Sequence, residues 1–166
     1  MTAADGPLGA LEGSGVARAM REWLWLYPSV EIVHIVGIGL LFGSIAVLDL
    51  RLLGLSRSLP VRRLAGHVLP WTAGSFLLIV PSGLLMFTAH ASDFISSSVF
   101  VIKMGLILAA GLNAALFHSM VFRTADVWDS QEMRHLPPPP SARLSAAVSL
   151  LLWIAVIACG RLLAYF

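Results

Sequence analysis

A glutamate and a histidine lie three residues apart in VEIVHIVGIG, residues 30–39, a stretch that is otherwise almost purely apolar. Residues spaced i and i+3 share one face of a helix, so Glu31 and His34 are expected side by side. An ionisable side chain costs roughly 2.5 to 3.5 kcal/mol to place in the middle of a membrane helix, which makes it a functional candidate. A neutral imidazole can ligate iron, and a neighbouring carboxylate can orient it or exchange a proton with it.

Three further histidines lie in or near other apolar stretches. With a rise of about 1.5 Å per residue in a helix, these three and His34 fall into two pairs at different depths in the membrane. His34 and His90 fall near one membrane face, and His67 and His118 fall near the other. Two neutral imidazoles on either side of one iron are what a six-coordinate haem b requires. The sequence therefore predicts haem b ligands at His34 and His118, with His90 and His67 as their respective partners.

A haem also needs cations for its propionates and space for its ring. Lys103 and Arg161 fall on the same side as His34 and are the predicted propionate partners. Glycine lets helices leave room for a flat ring, or lets them approach each other closely without any cofactor. Gly37, Gly39 and Gly43 follow His34 and fit both interpretations.

Two alternatives use the same residues without haem. In the first, Glu31, His34, Lys103 and Arg161 form a polar cluster that binds a small ion or a proton in a transporter subunit or a stabilising partner. In the second, copper or zinc is held by His34, His90 and either Glu31 or Asp93. No close-spaced ligand pair such as H-x-x-x-H supports the second alternative.

The chain that must position these residues has 166 residues, of which 58% are hydrophobic and only 12% charged. Soluble domains carry roughly 25% charged residues, so this composition indicates a membrane protein. Four apolar stretches are each long enough to cross a bilayer as a helix. They lie near 29–52, 66–90, 98–122 and 143–165. The predicted fold class is all-α: an integral membrane four-helix bundle with up-down-up-down topology.

The first 28 residues are predicted to form a tail and a short interfacial helix, and residues 29–166 a single four-helix domain. The segment VARAMREWLWLYP mixes arginines with tryptophans and a tyrosine, a pattern typical of a helix lying at the membrane surface. The single cysteine, Cys159, excludes a disulfide within the chain.

The connections between the helices predict the orientation in the membrane. The first connection carries Arg51, Arg57, Arg62 and Arg63, whereas ASDFISSS between the second and third helices has no basic residue. By the positive-inside rule the first connection is cytoplasmic, so both chain termini are expected on the outer side. The third connection contains four prolines, 137–140, which favour a stiff spacer and stop a helix from passing through them.

Some function classes are disfavoured. No glycine-rich phosphate loop precedes a helix, and no serine has a neighbouring base that the sequence identifies, which argues against a nucleotide enzyme or a hydrolase. The net charge of +2 is explained by membrane topology, so no nucleic-acid partner is expected.

Three segments, WLYPSVEIVHIVGIGLLFGSIAVLDLRLLG, FVIKMGLILAAGLNAALFH and GRLLAYF, resemble a family of small bacterial inner-membrane proteins that has no assigned function. The resemblance covers residues 23–166 and implies a bacterial inner-membrane location and a four-helix fold. In architecture alone, histidines on antiparallel helices are also similar to haem b membrane cytochromes and to the membrane domain of copper-resistance proteins.

Together these observations predict a haem b protein that passes electrons between a quinone or a membrane partner and an acceptor on the outer side. The expected partners are the lipid bilayer, a quinone, and another membrane subunit or a second copy of the chain.

Overall fold

The computed structural model describes residues 6–130, 136–163 and 165. The described residues are helical or lie in turns and short connections, with four helices long and apolar enough to span a membrane. These are α3 (Leu26–Leu53), α4 (Val61–Ala89), the helical run that begins with α6 (Ser98–Leu116), and α8 (Pro140–Leu162). The predicted all-α, four-helix membrane fold is therefore confirmed.

The short helices lie at the ends of this bundle. They are α1 (Pro7–Glu12), α2 (Gly15–Glu22), α5 (Ala91–Ser96) and α7 (Ala125–Trp128). We call the end where α3 begins and α4 ends the terminal end, and the end that holds residues 54–60 the loop end. At the terminal end Arg21 donates to the Ala89 carbonyl at 2.9 Å, which ties α2 to α4.

The helix α1 is held against α5 by Glu12. Its carboxylate accepts hydrogen bonds from the Ser92 hydroxyl at 2.6 Å and the Ser92 backbone N–H at 2.7 Å. These two bonds lower the pKa of Glu12 below its ordinary value, because they stabilise the charged form. The two short helices α1 and α2 are thus folded onto the bundle.

Much of the bundle surface is apolar. Leu77, Leu108 and Leu151 on three of the long helices are 78%, 74% and 68% exposed. A water-soluble protein seldom leaves such a continuous apolar surface uncovered, whereas lipid covers it without cost. This is a multi-pass membrane protein, with its long helices in contact with the bilayer.

The four long helices do not all touch. The helix α3 packs extensively against α4 and also against α8, and α8 packs against α6. Within the described chain, α4 and α6 have hardly any close backbone approaches. They meet mainly at their ends. Phe87 stacks on Phe100 at 5.8 Å, and Arg62 lies at 5.1 Å over Phe122, which follows α6 in the same helical run. We call the space between these two meeting points the α4–α6 seam.

The contact between α3 and α4 depends on Gly37. A Cβ atom at this position would lie 2.8 Å from Ile79 Cγ1 and 3.3 Å from the Ile79 backbone nitrogen. Of the glycines that follow His34, Gly37 therefore serves close helix packing. A Cβ atom built on Gly39 or on Gly43 would have no other atoms within 4 Å.

We expect Gly37→Ala to lower the free energy of unfolding by about 1 to 3 kcal/mol, because the added methyl group forces α3 and α4 apart. Gly39→Ala is the matched control on the same helix. It adds a methyl group in open space and removes a poor helix former, so it should be neutral or slightly stabilising. Unfolding of both variants by SDS in mixed micelles checks the difference. Equal stability of the two variants would contradict this packing.

The loop end holds the main buried cluster. Leu48, Leu52, Val61, Ala65, Phe117, Ala142 and Ala146 pack together there. Beside them the buried Arg51 donates to Asp129 at 2.7 Å and to the Leu59 carbonyl at 2.7 Å. The second oxygen of Asp129 accepts the Val61 backbone N–H at 2.6 Å, at the start of α4. One ion pair thus joins the end of α3, the start of α4 and the segment after α7.

Candidate functional site

His34 lies in the terminal half of α3 and is directed at α4. Its Nδ1 is 2.8 Å from Ser82 Oγ, and the Ser82 hydroxyl is itself bonded to the Leu78 carbonyl one turn earlier. A hydroxyl has one proton, and a carbonyl can only accept, so that proton is used in the bond to Leu78. His34 therefore donates from Nδ1, and in the neutral imidazole Nε2 is then the acceptor.

The backbone of α4 comes unusually near the His34 ring. A Cβ atom at Gly83 would lie 3.1 Å from His34 Cε1. The ring is therefore held by the Ser82 hydrogen bond on one side and by glycine backbone beside it. A half-buried imidazole fixed in one orientation and one tautomer is how proteins prepare a metal-binding histidine.

Lys103 brings a positive charge to the same region from α6. It is half-buried and lies near His34 on α3 and near Cys159 on α8. Its Nζ lies 3.7 Å from the position of a Cβ built on Gly160, so it rests against α8. Within the described part of the chain Lys103 has no hydrogen bond or ion pair. We call His34, Ser82 and Lys103 the terminal-half site.

The other residues predicted for this end lie further out. Glu31 is exposed, and His34 bonds to Ser82 and not to Glu31. His90 caps the end of α4, exposed, with its Nδ1 3.6 Å from Asp93 Oδ2 and its ring edge-on to Tyr27. Because Ser82 faces His34, His90 stands about two helical turns further toward the terminal end. The structure brings Lys103 to His34 but does not bring His90 or Glu31 to it.

Arg161 is also exposed at this end. Its guanidinium donates to the Tyr165 hydroxyl at 2.6 Å and lies 4.9 Å from the centre of the Tyr165 ring. This pairing holds the arginine at the surface, directly after Gly160 in α8, the residue against which Lys103 rests.

A second polar region lies in the loop half, in a cavity of about 170 Å³ that all four long helices line. Its polar lining includes Asp49, Asn113, His118, Ser145 and Ser149. Asn113 donates to the Ser145 carbonyl at 3.0 Å, and the Ser145 hydroxyl donates to Asn113 Oδ1 at 3.1 Å, which joins α6 to α8. We call this space the loop-half cavity.

His118 lines this cavity from a short π-helical segment, Phe117–Val121, that follows α6. Its Nδ1 donates to the Ala114 carbonyl at 2.8 Å, which leaves Nε2 as an acceptor. His67 is exposed near the start of α4 and donates to the Arg63 carbonyl at 2.8 Å. It does not line the cavity, so the structure does not place His67 and His118 around a common space.

Among the described residues no three His, Cys, Asp or Glu side chains are grouped closely enough to hold a metal ion. In particular, His34 and His90 are not assembled with Glu31 or Asp93 into the set considered for copper or zinc. A site built on His34 would need a metal whose other ligands come from elsewhere.

Two features were missed by the sequence reasoning. The first is Ser82, which orients His34. The sequence indicated no role for it, because no neighbouring base marks it as a nucleophile. Asp129, in the mixed-charge third connection, anchors the buried Arg51. The available signal was Arg51 itself, because an arginine among the leucines at the end of a spanning helix requires a partner.

A family model described as a family of unknown function, DUF6644, matches residues 26–166, from the first residue of α3 to the last residue of the sequence. No curated protein and no solved structure matches the chain significantly.

Proposed function

The chain belongs to the DUF6644 family of unknown function, and we propose that it is a membrane haem b protein that ligates the iron through His34 and transfers electrons. The observation that carries the proposal is the hydrogen-bond chain from His34 Nδ1 through Ser82 to the Leu78 carbonyl. It leaves the Nε2 lone pair for iron and makes the imidazole a stronger ligand, because the opposite nitrogen donates a hydrogen bond.

The ligand inventory favours haem over a bare metal ion. A zinc or copper ion needs three or four protein ligands, and the described residues offer no such group. In haem the porphyrin supplies four iron ligands, so one or two axial side chains are sufficient. A single well-oriented histidine therefore fits haem better than it fits a free ion.

The surroundings of His34 suit an anionic ring. His34 reaches from α3 toward Ser82 on α4 and toward Lys103 on α6, the two helices that hardly approach each other. The α4–α6 seam is thus the place where a flat group enters with least loss of helix contact. Lys103, with no described ion pair, is the cation for a propionate.

When bound, haem b supplies a one-electron carrier within the membrane. The protein's own contribution is to hold His34 in the ligating tautomer, to neutralise a propionate and to exclude water with apolar side chains. A membrane quinone is the electron donor we propose, with an acceptor at the terminal end. In this proposal the protein lies in a bacterial inner membrane with both chain termini on the outer side.

We expect Ser82→Ala to weaken haem binding by about 10- to 100-fold, the usual effect of removing the group that orients a metal-ligating histidine. Ser75→Ala is the matched control, because Ser75 is equally buried on α4 but bonds only to its own helix, at the Thr72 carbonyl. Titration of the apoprotein with haem in detergent, followed by absorbance, measures both affinities. Equal affinities in the two variants would contradict the role of Ser82.

A cofactor-free ion or proton site at the terminal end is the second candidate. It is favoured by one observation: Lys103 is half-buried near His34 and has no described anion partner. In that case Glu31 and Arg161 would complete an outer cluster by moving inward, and the purified protein would be colourless.

A further inference from the structure

The loop-half cavity has polar walls that the haem proposal does not use. It is bounded by apolar side chains such as Leu41, Phe117 and Trp153, yet each of the four long helices places at least one polar group in it. A dry apolar gap needs no such groups, and burying them is costly unless they have partners. At about 30 Å³ for each water molecule, a volume of about 170 Å³ holds roughly five waters or a small hydrated ion.

The hydroxyl protons of the lining are already used. Ser44 donates to the Leu40 carbonyl at 2.7 Å, and Thr72 donates to the Val68 carbonyl at 3.1 Å. Ser145 donates to Asn113 Oδ1. Each of these oxygens can therefore offer only lone pairs to an occupant of the cavity.

The same is true of the two titratable groups in the lining. His118 donates from Nδ1 to the Ala114 carbonyl, so in the neutral imidazole its Nε2 is an acceptor. Asp49 is only 6% exposed, and its Oδ2 is buried without a hydrogen-bond partner. Ser149 on α8 lines the cavity together with Asp49, and the lining contains no lysine or arginine.

We propose that the loop-half cavity binds a small monovalent cation, such as sodium, with the Asp49 carboxylate as its counter-charge. The lining is rich in acceptors and poor in donors, which suits a cation and repels an anion. Oxygen atoms from carboxylates, hydroxyls and water are the ligands that hard cations prefer. A single carboxylate balances one positive charge, so a monovalent ion leaves the buried site neutral. The proposal does not depend on haem at His34.

Calorimetric titration of the detergent-purified protein with sodium chloride, against choline chloride at the same ionic strength, tests the proposal. We expect saturable sodium binding in the wild type and at least a tenfold loss of affinity in Asp49→Asn. Asp93→Asn is the matched control, because this carboxylate is exposed at the terminal end, and it should bind sodium as the wild type does. Identical heats for sodium and choline, or unchanged sodium binding in Asp49→Asn, would overturn the proposal.

An infrared measurement on the wild type keeps the proposal testable if Asp49→Asn does not fold. Sodium added at constant pH should shift the carboxylate stretching bands of Asp49 and decrease any carboxylic acid C=O band, since a bound cation holds this group in its charged form. A band that responds to pH but not to sodium would show that the site holds only a proton, and the cation proposal would be wrong.

Discussion

Asp129→Ala should lower the free energy of unfolding by about 3 to 5 kcal/mol, the largest stability effect that the structure predicts for a single polar residue. Arg51 and Asp129 have side chains that are only 3% and 6% exposed. Removing the carboxylate takes an ion-pair partner away from the buried Arg51 guanidinium and removes the acceptor of the Val61 backbone N–H. Three segments at the loop end lose their common anchor.

The exposed pair between Arg62 and Asp126 provides the matched control. Its side chains are 44% and 71% exposed, and pairs of this kind contribute about 0 to 1 kcal/mol. SDS unfolding in mixed micelles should therefore show a large loss for Asp129→Ala and a small one for Asp126→Ala. Similar losses in the two variants would mean that the Arg51 pair is not the anchor of the loop end.

The second large effect concerns His34. We expect His34→Ala to abolish haem binding, with a loss greater than the 10- to 100-fold expected for Ser82→Ala, because the ligand itself is removed and not only the group that orients it. Haem content after purification, measured as the ratio of haem to protein, reports the change directly.

His67→Ala controls for the loss of an imidazole. His67 is also a histidine on a spanning helix whose Nδ1 bonds to an oxygen, but it is exposed near the loop end. It should keep the haem content of the wild type. Loss of haem in His67→Ala together with retention in His34→Ala would move the site to the loop half of the bundle.

The four spanning helices could be predicted from the sequence because apolar stretches of about 20 residues are a strong signal. Their ends were less predictable. The second helix begins at Val61 and not near residue 66, and the fourth begins at Pro140 and not near residue 143. Proline is tolerated in the first turn of a helix, so Pro140 starts α8 inside the proline run that was expected to precede it. The third helical run continues past residue 122 through π and 3₁₀ turns to Trp128.

The partners of the polar residues could not be predicted because they depend on the register between helices. Spacing along α3 suggested Glu31 as the partner of His34, whereas the antiparallel packing around Gly37 brings Ser82 to it. Asp49 was recognisable as an acid within an apolar helix, but its place in a cavity depends on all four helices. The structure places Lys103 and His34 in the same half of the bundle, and their roles in haem binding remain predictions.

The most direct test of the account is the visible absorption spectrum of the detergent-purified wild-type protein, recorded oxidised and after reduction with dithionite. We expect a Soret band and sharp reduced α and β bands, with haem b identified by the pyridine haemochrome assay. A colourless protein, purified from cells that were supplied with ample haem, would contradict the assignment of His34 as a haem ligand.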